Sequence, residues 1–579
     1  PGMAYLVRRL LENTSNESFV RHRYTEGWEI DALVAPPRPP VRAALRPGLP
    51  PPTDPSDPGP FTNEPPAEFR REEVQLRLVD AVERVERELG FRAPMLIDGR
   101  AIDTRDTITS VDPGRTEVVV CASASATVDH AREAIAAAHR AWPAWARRSW
   151  ADRAAVLFRA ADIMRRRRDE LAALIVLEAG KPLPEADADV CEAIDFCEYY
   201  GRRALVLGAG EPMLDVPGED NRYCYQPRGV GVVIAPWNFP LAIPTGMVVA
   251  ALVCGNTVVF KPAEQTPGVA LRLSEILLEA GVPPGALAFV PGLGEVVGPP
   301  LVEHPQVSFV TFTGSKAVGL EIVRRAAVVQ PGQKLVKRVV AEMGGKNAII
   351  VDADADLDES VPAIVQSAFG YAGQKCSAAA RVIAVDPVFD ALVDRLVGAA
   401  QLVPIGHPSD PATVVGPLID ADAYKRVRDY QHVAPQEGRV VLERNDVPGG
   451  GWYVGPMIVV VDDPQARIAT EEIFGPLLVV ARAADFDTAL AMANETDYAL
   501  TGGLFSRTPS HLERAARELR AGNVYLNRAI TGAIVGRQPF GGYGLSGVGS
   551  KAGGPDYLRQ FVEPRAISEN TVRQGFAPD

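Results

Sequence analysis

A single cysteine, Cys376, stands in the tight, small-residue stretch GYAGQKCSAA. Taken alone it has four readings: core filler, half of a disulfide, a metal ligand or a nucleophile. Other stretches carry groups that could serve a nucleophile. In APWNFPLAIP, Pro236 and Pro240 bracket Asn238 in a rigid turn at the end of an apolar run. Its side-chain amide either donates to a developing oxyanion or holds its own loop as an Asx-type turn. In AEMGGKN, Glu342 precedes two glycines. It is either a carboxylate free to swing as a general base or a solvated turn residue. In VVFKPAEQTP, Lys261 and Glu264 end a strand-like run. They either grip the two hydroxyls of a ribose, with the carboxylate repelling a 2′-phosphate, or form a surface ion pair. VTFTGSKAVG places Gly314 and Ser315 between a β-run and a helix, where backbone N–H groups can approach a pyrophosphate. PGLGEVVG, with Gly292, Gly294 and Gly298, is a rough version of the dinucleotide-binding glycine pattern.

These groups need a rigid frame. From Gly229 onward, apolar runs (GVGVVIA, NTVVF, ALAFV, VSFVTF) alternate with helical patterns starting near residues 240, 267 and 315. Continuous apolar strands separated by helices mean a parallel sheet covered on both faces. A second alternating set occupies residues 346–527, so two α/β domains are expected, as the length of 579 residues also suggests. Before them the pattern predicts a helix near 68–89, a short β region, and long helices over 127–146 and 151–179. Thirteen prolines fall between Ala35 and Ala67, which predicts an extended spacer. Residues 3–21 read as an amphipathic helix with Leu6, Leu10 and Leu11 on one side.

Composition narrows the class. With 47% hydrophobic and 23% charged residues the chain can bury large cores, and a net charge of -13 argues against a nucleic-acid groove. Six cysteines without a CxxC pair and seven scattered histidines suit neither a disulfide scaffold nor a structural zinc site. No metal is expected, and Cys121, Cys191, Cys197, Cys224 and Cys254 read as core filler. No apolar run is long enough to span a membrane, and a cytoplasmic setting is expected.

The motifs PWNFP, FKPAEQTP, FTGS, EMGGKN, GQKCS and EEIFGP stand in the order and approximate spacing of the aldehyde dehydrogenase superfamily, which residues 66–579 resemble. That resemblance implies a Rossmann-type NAD-binding domain (67–206 and 229–342), an α/β catalytic domain (343–552) and a small β oligomerisation flap (207–228 and 553–579). It implies Cys376 as nucleophile, Asn238 as oxyanion donor and Glu342 as the base that activates water. Trp237, Lys261, Glu264, Gly294, Gly298, Gly314 and Ser315 would hold NAD, with Glu472 and Phe474 at the nicotinamide ribose. The flap would leave a strand edge for a second copy, giving a dimer or larger homo-oligomer.

NRAITGAIVGRQPFGGYGLSG resembles the branch of that superfamily that oxidises L-glutamate γ-semialdehyde, formed from Δ1-pyrroline-5-carboxylate, to L-glutamate. The backbone N–H groups of Gly532 and Ala533 would then anchor the substrate carboxylate, helped by Ser377. Many relatives carry serine at the position of Ala533, so a hydroxyl contact is lost while a backbone donor stays. Glu192 matches an acid near the substrate's amino group, or is a helix-surface charge. Phe239 and Phe540 would wall the aliphatic stem. YLVRRLLENTSNESF resembles the last helix of an FAD-dependent proline dehydrogenase barrel, with Arg8, Arg9 and Glu12 as its substrate contacts. Residues 1–35 are therefore expected to be a remnant of such a barrel and 36–66 a linker, the chain being the C-terminal part of a bifunctional protein. A plain docking helix is the other reading. A different semialdehyde such as succinate semialdehyde, a CoA-acylating reaction, and a module with a dead site are the alternatives for function.

Overall fold

The computed structural model describes residues 54–572. The helix expected over 3–21, linker residues 36–53 and the tail 573–579 lie outside the described residues.

Two sheets dominate, and each follows from strands apolar on both faces. The first runs Gly547–Val548, Arg338–Glu342, Val307–Thr313, Val230–Ile234, Thr257–Lys261, Leu287–Phe289, Met95–Ile97, Arg100–Ile102, with a parallel centre and antiparallel edges. Its side chains alternate. Val232, Ile234, Val259, Val310 and Phe312 enter one core with the alanines of helix Val128–Ala146. Val233, Val258, Phe260 and Phe309 enter the other with helices Ala242–Val253 and Pro267–Glu279. The edge strand Gly547–Val548 comes from far along the chain, within the stretch assigned above to the catalytic domain. The second sheet runs Arg439–Glu443, Met457–Val461, Leu477–Ala483, Ala379–Val385, Asn347–Val351, Thr501–Phe505, Asn523–Leu526. It is parallel apart from its first pair. Glu219–Pro227 pairs antiparallel with Val562–Asn570 as a separate ribbon.

The long helical pattern over 151–179 is two helices, Trp150–Arg166 and Arg168–Ala179, broken at Arg167 (φ -102°, ψ 14°). The break lets neighbouring arginines face different partners. Arg165 meets Glu64 and Glu198, at 2.8 and 2.9 Å, while Arg168 meets Asp187 at 2.7 Å and the carbonyl of Pro65 at 3.0 Å. These bonds, with Arg202 on the carbonyls of Pro58 and Gly59, lay residues 58–67 along helix Leu183–Gly208. Arg165, Glu64 and Glu198 are each at least nine-tenths buried. Removing the cation alone would leave Glu198 to Arg202, at 2.6 Å, and Glu64 to the more distant Arg168, at 3.6 Å. Arg165→Met is expected to cost about 1–3 kcal/mol, the worth of buried polar atoms that lose a partner, read as a lower urea midpoint with the NAD affinity kept.

Candidate active site

Strand register brings the motifs to one place. Ile234 lies beside Lys261 on one side and beside Phe312 on the other, and Thr313 lies beside Glu342. The turn carrying Trp237 and Asn238, Lys261 with Glu264, the Gly314-Ser315 turn and Glu342 therefore all leave the carboxyl ends of four adjacent parallel strands. That is where doubly wound sheets bind ligands. Lys261, 4% exposed, holds the half-buried Glu264 at 2.7 Å, and Glu264 also accepts from the Gly294 amide at 2.9 Å. Gly294 opens helix Gly294–Glu303, and around Gly298, one turn on, a Cβ would meet nothing within 4 Å. Ser315 caps helix Lys316–Ala326, its Oγ accepting from the Val318 amide at 3.4 Å. A carboxylate braced by a buried ammonium beside the N-terminus of helix Gly294–Glu303, with a second helix N-terminus at Ser315 on the same sheet edge, fits a ribose diol and a pyrophosphate such as those of NAD.

Cys376 is presented by a strained loop. Tyr371, Ala372 and Gly373 are consecutive left-handed residues, at φ 56°, 54° and 70°. The two non-glycine members cost on the order of 1–2 kcal/mol each. Long-range bonds hold them: the buried Tyr371 hydroxyl donates to the Ala179 carbonyl at 2.8 Å, and its amide to Val414 O at 3.1 Å. Gln374, fully buried, donates to Pro417 O at 3.0 Å and accepts from the Ile419 amide at 2.9 Å. Asn347 donates to the carbonyls of Cys376 and Ala378, at 2.7 and 2.9 Å. Cys376 as a residue is only partly buried. Burial, and then the charges of Glu472 and Glu342, push its thiol up to about 12.

Asn238 lies against this loop, its Nδ2 donating to the carbonyl of Gln374 at 3.0 Å, two residues before the thiol. Glu342 is half-buried and accepts from the Gly542 amide at 3.2 Å. Burial pushes its carboxyl up to about 8, against that amide and the Lys551 cation, which both lower it. Glu472 accepts from the Gly345 amide at 3.0 Å, and burial raises it too. Phe474 is left-handed at φ 57° and meets the Trp237 ring edge-on at 5.6 Å. Aromatic groups from the two α/β halves thus touch.

The residues expected around a substrate are less tightly tied. Gly532 is left-handed at φ 75° with nothing within 4 Å of a Cβ position, and among the described residues neither its amide nor that of Ala533 donates to protein. Ser377 is 8% exposed, and its carbonyl accepts from Thr501 at 3.3 Å. Phe540 exchanges backbone bonds with Ala552, at 2.9 and 2.8 Å. Phe239 lies over the Lys181 ammonium, 3.4 Å from it. Glu192 is half-buried on helix Leu183–Gly208. Burial and Asp189 raise its carboxyl, Lys181 lowers it, and Asp195 raises it further.

Sequence reading passed over Lys181, Asp189, Gln374 and Asn347, all buried and all bonded into this site. Gln374 stands in GQKCS and Asn347 in EMGGKN, so both lie inside motifs already singled out; Lys181 and Asp189 carry no such signal.

The aldehyde dehydrogenase family pattern matches residues 101–567. The 1-pyrroline-5-carboxylate dehydrogenase of Geobacillus thermodenitrificans is 49% identical over 510 residues, 88% of this chain and 99% of that protein. The Thermus 1-pyrroline-5-carboxylate dehydrogenase with bound NAD superposes with a TM-score of 0.86 at 46% identity, over 88% of this chain and 99% of the other. Proline utilization A from Bdellovibrio bacteriovorus superposes with a TM-score of 0.91 at 45% identity. It covers all of this chain, which spans 60% of that longer protein. With the pattern matched over most of its length and its motifs gathered at one sheet edge, the chain belongs to the aldehyde dehydrogenase family.

Proposed function

We propose that this protein oxidises L-glutamate γ-semialdehyde to L-glutamate with NAD as acceptor, the second step of proline breakdown. The observation that carries the reading is the Asn238 amide, 3.0 Å from the Gln374 carbonyl in the loop of Cys376. It sets a fixed donor beside a cysteine that is itself partly exposed in a strained, otherwise buried loop.

Cys376 Sγ, its proton passed to water, bonds to the aldehyde carbon as the carbonyl π bond breaks, and the carbonyl oxygen becomes an oxyanion. The Asn238 side-chain amide and the Cys376 backbone N–H would share that charge. NAD, when bound, accepts the hydride released as the oxyanion collapses. Cys376 is left as a thioester. Glu342, ionised, takes a proton from water, whose oxygen attacks the thioester carbon and expels Sγ as the acid forms. Lys261 and Glu264 would hold the adenosine ribose, with Gly294, Gly298, Gly314 and Ser315 around the phosphates. Trp237, Glu472 and Phe474 would set the nicotinamide end.

For the substrate, the amides of Gly532 and Ala533, unpartnered among the described residues, suit a carboxylate together with Ser377. Glu192 suits an ammonium, and Phe239 and Phe540 the stem between. The likeness to proline utilization A supports a partner, an FAD-dependent proline dehydrogenase barrel fused in one chain, whose product this site consumes. The ribbon Glu219–Pro227 with Val562–Asn570, flanked by Leu214 at 87% exposure, suits a homo-oligomer contact. Among the described residues no helix is long and apolar enough to cross a membrane. A reduced, cytoplasmic setting suits a free catalytic thiol.

Steady-state NADH formation tests the substrate. Pyrroline-5-carboxylate is expected to give a kcat/KM at least about tenfold above succinate semialdehyde, the worth of one lost charged contact. Equal or better turnover of succinate semialdehyde would overturn the assignment.

A further inference from the structure

Lys181 is a lysine with no exposed surface, and nothing in the reaction above uses it. It follows Gly180, left-handed at φ 63°, where a Cβ would run into the rings of Pro113 and Pro417. That turn, between helices Arg168–Ala179 and Leu183–Gly208, throws the side chain inward. Its Nζ donates to Asp189 Oδ2 at 2.8 Å and to the backbone carbonyl of Asn238 at 3.2 Å, and it sits 3.4 Å from the centre of the Phe239 ring. Asp189, equally buried, accepts from the Ala242 amide at 2.7 Å. The pair therefore grips the Asn238 turn at both ends: at the carbonyl of Asn238, and at the first residue of helix Ala242–Val253.

Stability is a poor reason for such a pair, since a buried ion pair is often replaceable by apolar side chains at no cost. Orientation is a better one. Asn238 has its backbone held from one side by Lys181 and its side-chain amide on the other in contact with the loop of Cys376. We propose that Lys181, with Asp189 as its counter-ion, is a positioning residue that fixes the backbone of Asn238 so that its amide meets the oxyanion formed at Cys376. This rests on the reading of Asn238 as the oxyanion donor.

Rates of the first turnover, measured as the NADH burst on the full chain, test it through Lys181→Met, Lys181→Met/Asp189→Leu, Lys181→Arg, Asn238→Ala and Lys181→Met/Asn238→Ala. Misplacing the donor is expected to slow the burst roughly 10- to 100-fold with KM within a few-fold. The apolar pair, which removes both members of the buried ion pair together, is expected to recover most of the melting temperature lost in Lys181→Met without recovering the rate. Lys181→Arg keeps the charge but not the single-point geometry of the ammonium, and is expected to fold and remain slow. Because Lys181 acts through Asn238, the double variant with Asn238→Ala is expected to be no slower than Asn238→Ala alone. Additive losses in that double variant, or a full burst rate in the apolar pair, would overturn the proposal. An Asn238→Ala variant at wild-type rate would instead overturn the oxyanion reading beneath it.

Discussion

Cys376→Ala is expected to abolish NADH formation, by on the order of 10^4-fold or more, because the proposed reaction begins with the bond from Sγ to the aldehyde carbon. The fold and NAD affinity are expected to survive. What holds the loop is Gln374 between Pro417 and Ile419, and Asn347 on the carbonyl of Cys376, none of which involves the thiol. Full NADH production by this variant would remove the nucleophile assignment. The thiol also carries its own prediction. Burial above all, with the charge of Glu472, holds it far above the ordinary thiol range, so it is overwhelmingly protonated at pH 7. Alkylation of Cys376 by iodoacetamide in the cofactor-free protein is therefore expected to be slow and to rise about tenfold per pH unit through the neutral range. On the proposed assignment, added NAD would bring a pyridinium charge toward the sulfur and engage Glu472 with the ribose. Both changes favour thiolate, so alkylation is expected to quicken. A rate insensitive to pH between 7 and 9 would show a thiolate already formed.

Where chemistry needs local features, the chain announces them. GVGVVIA and VSFVTF are apolar on both faces, so they could only be interior strands, and they are. The spacing of PWNFP, EMGGKN and GQKCS carried the family. What the sequence concealed is pairing at a distance. Helix Leu183–Gly208 carries Glu185, Asp187, Asp189, Glu192, Asp195 and Glu198, a pattern that reads as a solvated charged face. Instead Glu185 meets Lys375, Asp187 meets Arg168, Asp189 meets Lys181, Asp195 meets Asn63, and Glu198 meets Arg165. Each partner comes from another segment, and only the tertiary fold turns the acidic face inward. The prolines just before the fold mislead in the same way. Composition suggests a spacer, yet Asn63 bridges Asp195 at 2.7 Å to the carbonyl of Val535 at 2.9 Å, three residues from Gly532. The helix break at Arg167 has no glycine or proline to mark it, since it is imposed by the buried partners of Arg165 and Arg168.

Glu342→Gln is expected to split the reaction in time: one NADH per active site at near wild-type rate, then turnover slowed on the order of 10^2- to 10^4-fold, the usual worth of a general base. The amide can still accept from the Gly542 N–H, so the turn keeps its shape while the proton acceptor is lost. The burst should leave a covalent acyl adduct on Cys376, visible in the intact mass. The proposed base would be held back only by its 3.2 Å bond from the Gly542 amide, at the long end of the range for such bonds. It must also be ionised. With its carboxyl pushed up to about 8, only about one tenth is charged at pH 7, and the charged fraction is lost as pH falls through 8. Thioester hydrolysis is thus expected to climb from pH 7 to 9 and level above, a limb that Glu342→Gln lacks. Lys551→Met removes the cation that draws this carboxyl down, so the same limb should move to higher pH. If Glu342→Gln shows no burst at all, the carboxylate acts before the thioester, on the thiol itself. If its turnover is unchanged, another group activates the water.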